Sequence, residues 1–364
     1  MFEGGCRWMK IVQIIPSFNL AGAEVMVEHL SYGLSKRKNE LYVISLYDLH
    51  SRITTELELQ GIKIFYLGKK RGFDVSLFFR IYNLLKIIKP DVVHTHLHAL
   101  EYAAVCMQFL NIPKRIHTMH NIAQSETLKC LRPLWFTAFH HWHVIPVALT
   151  KNVQNSVQEL YHIRQDNIPV VYNGIDLSKC IPKKAYQDNS TFTVLHIGRF
   201  EKQKNHKLLV EGFAAFHKKH PNSTLYMIGG GSLYNTIVSQ VHVLGIDDVV
   251  HFEGIQDNVF PYLAMADVFV LPSIYEGMPM TIIEAMGTGL PIIASAVGGV
   301  TDILKDNINA MLLTDISVKN FSLALEKCYE DEKMRERIGR HAYQDSVIFG
   351  YEAMAQKYLE LYSN

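Results

Sequence analysis

Short runs of consecutive apolar residues alternate along this chain with longer stretches whose apolar positions recur every three to four residues. Runs of the first kind predict strands buried on both faces, and stretches of the second kind predict amphipathic helices. In the first half, strands are expected over residues 11–15, 41–46, 62–67, 92–95 and 115–119. Helices are expected over 23–34, 75–88 and 99–110. The pattern restarts after Asn173 and Gly174, with strands over 193–197, 223–228, 249–252, 268–271 and 291–295. The helices between them fall at 207–218, 233–244, 259–266 and 280–287. Regular alternation of this kind means an α/β fold with parallel sheets covered by helices on both faces. Two doubly wound units of similar size are expected, covering 9–175 and 176–346. The polar stretch within 173–192, rich in Lys, Gln, Asp, Asn and Ser, reads as the linker. A last amphipathic segment, 347–364 with its helix over 351–362, either packs on the second unit or crosses back to the first.

Length and composition fit this picture. The 364 residues suffice for two domains, and 48% hydrophobic content supplies two cores. A net charge of +1 gives no global electrostatic case for nucleic acid as a partner. No apolar run approaches the ~20 residues that span a bilayer, and the first ten residues lack the apolar stretch of a signal peptide. Residues 1–8 read as a lead before Met9 and Lys10. The five cysteines, Cys6, Cys106, Cys130, Cys180 and Cys328, are odd in number and form no C-x-x-C pair. Buried free thiols in a reducing cytoplasm are the expectation.

Three stretches carry candidate chemistry. In 271–299, Glu276 and Glu284 flank the start of a predicted helix, with Pro279 where a missing N–H costs nothing. Helix N-termini present free amides and a positive dipole end, which suits a phosphate. Glu284 would accept hydrogen bonds from vicinal hydroxyls such as a ribose, and Glu276 from a sugar. Two surface acids beside an amphipathic helix are the plain alternative. The second stretch runs from Gly198 to Asn205 and follows the first strand of the second half, where parallel sheets bind ligands. It offers Arg199 as a forked donor and Lys204 as a point charge for a diphosphate; a solvated loop is the alternative. The third, Ser17 to Glu24, follows the first strand of the chain. There Gly22 would let backbone approach a phosphate, or simply form a tight turn. It is not G-x-G-x-x-G, so the dinucleotide fingerprint of a dehydrogenase is absent.

Taken in order, the Gly-Ala-Glu turn, DVVHTH, the strand-end His-Asn, YNGID, GRF with a lysine four residues on, YEGMP with EAM, GLP and VGG resemble retaining glycosyltransferase family 4. The resemblance covers the chain from Met9 onward. It implies a GT-B fold, two Rossmann-like domains with an interdomain cleft. It also implies roles: Gly22 faces the donor phosphate, His120 lies near the donor sugar, and Arg199 with Lys204 bind the diphosphate. Glu276 contacts sugar hydroxyls, Glu284 binds the ribose, and the amides of Met280 and Thr281 contact phosphate. The sequence departs from the family's usual wording at Asp302, where Glu is common, at Ala310, where Asn-Gly is usual, and at Ala21.

The implied reaction moves a sugar from a nucleoside diphosphate, UDP ahead of GDP or ADP, to an acceptor hydroxyl with retained configuration. No cofactor beyond the nucleotide-sugar co-substrate and no metal is expected. The alternating His94, His96 and His98 leave a zinc site as the minor alternative. A saccharide or lipid-linked saccharide acceptor of cell-surface polysaccharide, capsule or exopolysaccharide synthesis is the expectation by analogy. The basic, apolar stretch 69–89 could touch the cytoplasmic face of the inner membrane or simply pack on its sheet. Rival readings are a nucleotide-sugar epimerase of the same fold and a non-catalytic sugar-nucleotide-binding subunit.

Overall fold

A computed structural model describes residues 8–19, 22–37, 39–186 and 191–363. The lead before Trp8, the turn residues Leu20 and Ala21, and the stretch 187–190 of the expected linker lie outside the described residues. The chain forms two compact units, one of residues up to Gly174 together with Tyr351–Asn364, the other Ile175–Gly350.

The first unit is built on six parallel strands: β1 (Lys10–Ile15), β2 (Glu40–Ser45), β3 (Lys63–Tyr66), β4 (Val92–His96), β5 (Lys114–Met119) and β6 (Ile145–Ala148). Their order across the sheet is β3-β2-β1-β4-β5-β6. Ile11 is thus flanked by Leu41 on one side and Val92 on the other. β1 is buried on both faces, as a central parallel strand must be, which explains why residues 11–15 are apolar but for Gln13, whose amide is hydrogen-bonded to Ser31 and His96. The edge strand β6 escaped the sequence reading because Pro146 interrupts its run. At an edge the missing N–H costs no ladder bond.

The final helix, Tyr351–Ser363, packs on the first unit against helix Gly22–Ser35. Gly33 makes that approach feasible: a Cβ there would lie 2.4 Å from the Ala355 Cβ. A mid-helix glycine costs about 0.5–1 kcal/mol relative to alanine, and close helix packing offsets it. Thr118 on β5 shares a 2.7 Å hydrogen bond with Tyr358, and His94 on β4 one of 2.7 Å with Tyr362. The terminal helix therefore belongs to the first unit from Tyr351, four residues later than the expected boundary.

The second unit repeats the architecture with β7 (Phe192–Ile197), β8 (Ser223–Ile228), β9 (Val250–Gly254), β10 (Val268–Leu271), β11 (Ile292–Ser295) and β12 (Met311–Leu313). Their order is β12-β11-β10-β7-β8-β9, all parallel. The short edge strand β12 and helices Val318–Glu330 and Glu332–Ser346 were not anticipated. Part of the expected linker is packed structure here. Lys183 donates to the Ala266 carbonyl at 2.6 Å, and the Tyr186 hydroxyl to the Gly289 carbonyl at 2.7 Å.

Candidate functional site

In the second sheet the strand order reverses between β7 and β10. Chains leaving those strands diverge to opposite faces and leave a crevice at their C-terminal ends. This topology brings together two loops more than seventy residues apart in sequence. Lys204, in the loop after β7, donates to Glu276 Oε1, in the loop after β10, at 2.6 Å. Both side chains are largely withdrawn from water, 15% exposed for Lys204 and 5% for Glu276. Ser273 Oγ also donates to Glu276 Oε1 at 2.6 Å, and Gln203 Nε2 reaches Oε2 at 3.3 Å. Gln203 binds the loop itself, donating to the Tyr275 carbonyl at 2.9 Å and accepting the Ile274 N–H at 2.8 Å. The carboxylate is held from three directions and keeps lone-pair capacity for one more donor. The ammonium spends one of its three N–H donors on Glu276 and retains two.

Glycines fix the backbone around this pair. Gly298 has φ +50, and a Cβ there would lie 2.1 Å from the Glu276 carbonyl oxygen, which accepts the Gly299 N–H at 3.1 Å. The double glycine therefore presses directly on the loop that carries Glu276. Gly229, at φ +138, would bring a Cβ to 2.2 Å from the Gly198 carbonyl oxygen, and Gly231, at φ +154, one to 2.7 Å from that of Phe200. Arg199 rides on the backbone between those two contacts. Its side chain is exposed and has no ion-pair partner among the described residues. Glu201 is tied back to Ser232 by bonds of 3.1 and 2.8 Å.

Helix Met280–Thr288 starts beside Glu276, and no side chain caps it. Its first amides lack intrahelical partners, as at any helix start. Among the described residues, the buried Thr281 hydroxyl oxygen has no hydrogen-bond partner. One turn on, burial pushes the half-buried Glu284 carboxyl up to about 7. The second unit thus assembles Arg199, Lys204, Glu276, Met280, Thr281 and Glu284 at one end of its sheet. Sequence reading missed Ser273 and Gln203, whose side chains hold Glu276, and the close backbone approaches at Gly229 and Gly298, because no spacing rule reports contacts between separate loops.

In the first unit, His120 directly follows β5 and is 8% exposed. Its Nε2 lies 3.2 Å from Nδ1 of His96, at the end of β4. Burial pushes His120 down to about 3, so its ring is neutral at ordinary pH. Glu126 accepts the Asn121 N–H at 2.6 Å behind it, and burial pushes that carboxyl up to about 8. Gly22 begins helix Gly22–Ser35, exposed, with nothing within 4 Å of an added Cβ. No packing neighbour explains that glycine. His94, His96 and His98 do not act together: the first two are buried in separate hydrogen bonds, and His98 pairs with Glu101 at 2.9 Å at the surface. Among the described residues, no three His, Cys, Asp or Glu side chains converge as a metal ligand set. Cys106, Cys130, Cys180 and Cys328 are free thiols. No described helix is long and apolar enough to cross a membrane.

Two doubly wound units, with cationic and carboxylate side chains gathered at the switch point of the second sheet, define a GT-B protein of two Rossmann-like domains. Residues 20–179 match the model of Glycosyltransferase Family 4, and residues 180–345 that of glycosyl transferases group 1. The chain belongs to glycosyltransferase family 4 and is a glycosyltransferase.

Among its relatives is the Escherichia coli UDP-Gal:alpha-D-GlcNAc-diphosphoundecaprenol alpha-1,3-galactosyltransferase, 27% identical over 71% of each chain. Another is the Campylobacter jejuni N,N'-diacetylbacillosaminyl-diphospho-undecaprenol alpha-1,3-N-acetylgalactosaminyltransferase, 24% identical over 90% of this chain and 92% of that protein. The solved structure of Anabaena HepE in complex with UDP and glucose shares the fold, with a TM-score of 0.85, 19% identity and coverage of 98% of this chain and 100% of that one.

Proposed function

We propose that this protein transfers a sugar from a nucleoside-diphosphate sugar, with UDP the favoured base, to a saccharide or lipid-linked saccharide during cell-surface polysaccharide synthesis, retaining the anomeric configuration. The observation that carries the reading is the Lys204–Glu276 pair beside an uncapped helix start. As the glycosidic bond breaks, negative charge grows on the departing diphosphate. Arg199, the two free N–H donors of Lys204 and the amides of Met280 and Thr281 would stabilise it, with Gly22 giving backbone access to phosphate. Fixed donors of this kind need no reorganisation as charge develops. They take the part a metal plays elsewhere, so neither metal nor resident cofactor enters the proposal. Glu276 accepts from sugar hydroxyls, Glu284 from the ribose, and His120 orients the sugar. The acceptor hydroxyl attacks from the face the diphosphate leaves, and the departing phosphate takes its proton.

The choice of UDP draws on the E. coli relative, whose name gives a UDP-Gal donor, and the acceptor class on two relatives whose names give undecaprenol-linked sugars. The reading extends to a cytoplasmic enzyme that touches an anionic membrane face. Phe73, Val75, Phe79 and Ile87 are exposed around helix Ser76–Ile88, among exposed Lys70, Arg71, Lys86 and Lys89. The sole acid of that stretch, Asp74, is buried and paired with Arg80 at 2.7 Å. Apolar side chains ringed by cations suit an anionic lipid surface.

The deciding experiment incubates the protein with UDP-sugars and a polyprenyl-diphosphate-linked saccharide and follows product by mass spectrometry and NMR. An α-linked product from an α-linked donor is expected. An inverted product, or a donor bound away from Lys204 in a soaked crystal, would overturn the proposal.

A further inference from the structure

The buried chain of side chains behind His120 has a definite proton arrangement. Ser31 Oγ lies 2.7 Å from the Val27 carbonyl, one turn earlier in its helix. Two oxygens that close need a proton between them, and only the hydroxyl has one to give. Ser31 Oγ is therefore an acceptor toward Gln13, and the Gln13 amide points its NH2 at it, at 2.8 Å. That leaves Gln13 Oε1 facing His96 Nε2 at 3.2 Å, so His96 carries its proton on Nε2. His96 is fully buried and burial holds it well below the usual imidazole range, so it is neutral and its Nδ1 is bare. His120 Nε2, 3.2 Å from that bare nitrogen, must then be the donor. His120 is also neutral, and its Nδ1 is left as an acceptor with no hydrogen-bond partner among the described residues. Each link is fixed by the one before it, beginning at a helix carbonyl that cannot change role.

We propose that Ser31, Gln13 and His96 are positioning residues that lock His120 in the Nε2–H tautomer, so that its Nδ1 accepts a hydrogen bond from a hydroxyl of the donor sugar. The assignment to a sugar rests on the function proposed above; the tautomer does not. Which nitrogen a histidine protonates is set by the bond its other nitrogen makes. An acceptor at this place selects sugars that carry a free hydroxyl there. A deoxy or O-alkylated sugar would cover that nitrogen without giving it a donor, and so bind less well.

The test is long-range proton–nitrogen correlation NMR on the full-length protein labelled at histidine nitrogens, with His120 assigned by the signals lost in His120→Gln. The expected spectrum shows His120 with a pyridine-type Nδ1 and a pyrrole-type Nε2. In Gln13→Leu the His120 signals should shift toward a mixture of tautomers, with kcat falling about five- to tenfold, the worth of one buried hydrogen bond. Ser31→Ala removes only the first link, keeps the fold, and should lower kcat about two- to threefold with a smaller tautomer shift. A pyrrole-type Nδ1 in the unaltered protein would overturn the proposal, as would an unchanged His120 tautomer in Ser31→Ala and Gln13→Leu. Should the tautomers behave as expected while His120→Gln transfers sugar at full rate, the relay stands and the sugar contact fails.

Discussion

Replacing Lys204 by alanine tests two ideas at once, because the structure ties this ammonium to a buried carboxylate. Removing one partner of a buried ion pair costs about 3–5 kcal/mol, since the other charge stays behind uncompensated. Two features reduce that here. Lys204 is 15% exposed, so water can reach the gap, and Ser273 and Gln203 still donate to Glu276. About 2–3 kcal/mol is the resulting expectation. At roughly 2–4 °C per kcal/mol for a unit of this size, the melting transition of the second unit should drop by roughly 4–12 °C. Sugar transfer should fall by about 10²–10³, as when one oxyanion donor is lost. A double-mutant cycle separates the two effects. Lys204→Ala combined with Glu276→Gln removes the stranded charge, so melting should recover part of the loss while transfer does not recover. Calorimetry on the four proteins, beside single-turnover kinetics, reads both quantities. An unshifted melting point in Lys204→Ala would show that the pair stores no stability, and a near-normal transfer rate would remove Lys204 from the site.

Other expectations follow from the same geometry. Gly298→Ala forces a Cβ into the Glu276 carbonyl at φ +50, and should cost at least about 1–2 kcal/mol from the backbone alone, with donor affinity lost in parallel; calorimetry and donor titration check it. Since Glu284 titrates at about 7 and ribose hydroxyls need its ionised form, donor affinity should rise from pH 6 to pH 8 and lose that slope in Glu284→Gln; calorimetric titration showing a flat profile in the unaltered protein would refute it. Burial lowers His94, His96, His117, His120, His196 and His206, so below pH 6.5 the unfolded chain binds protons that the folded one refuses. Each costs about 1.4 kcal/mol per pH unit in that window. Glu126 and Glu284 act oppositely, losing stability as pH rises from about 4.5 toward 7–8, but six imidazoles outweigh two carboxyls, and urea midpoints should fall steadily from pH 6.5 to 5. Finally, Phe79→Asp should weaken binding to vesicles of anionic lipid in a flotation assay without altering transfer to a soluble acceptor.

Much of this protein was written locally. In the central strands, the run 11–15, apolar but for Gln13, and Val268–Leu271 report burial on both faces and so report a parallel sheet. The ordered motifs around His120, Arg199, Lys204, Glu276 and Glu284 were legible because each lies at a strand end or helix start, where chemistry recurs at short spacing. Edge elements were not legible. Pro146 breaks the pattern of Ile145–Ala148, and Met311–Leu313 is too short to show a period.

Only the tertiary structure decided which residues meet. Lys204 and Glu276 are neighbours because the strand order reverses between β7 and β10, a property of the whole sheet. The last helix joins the first unit because Gly33 admits Ala355 and because Tyr358 and Tyr362 find Thr118 and His94. The proton order through Ser31, Gln13, His96 and His120 depends on distances of about an ångström's tolerance. Periodicity reports how each residue faces its own strand or helix, whereas hydrogen bonds between distant residues depend on how those elements are stacked.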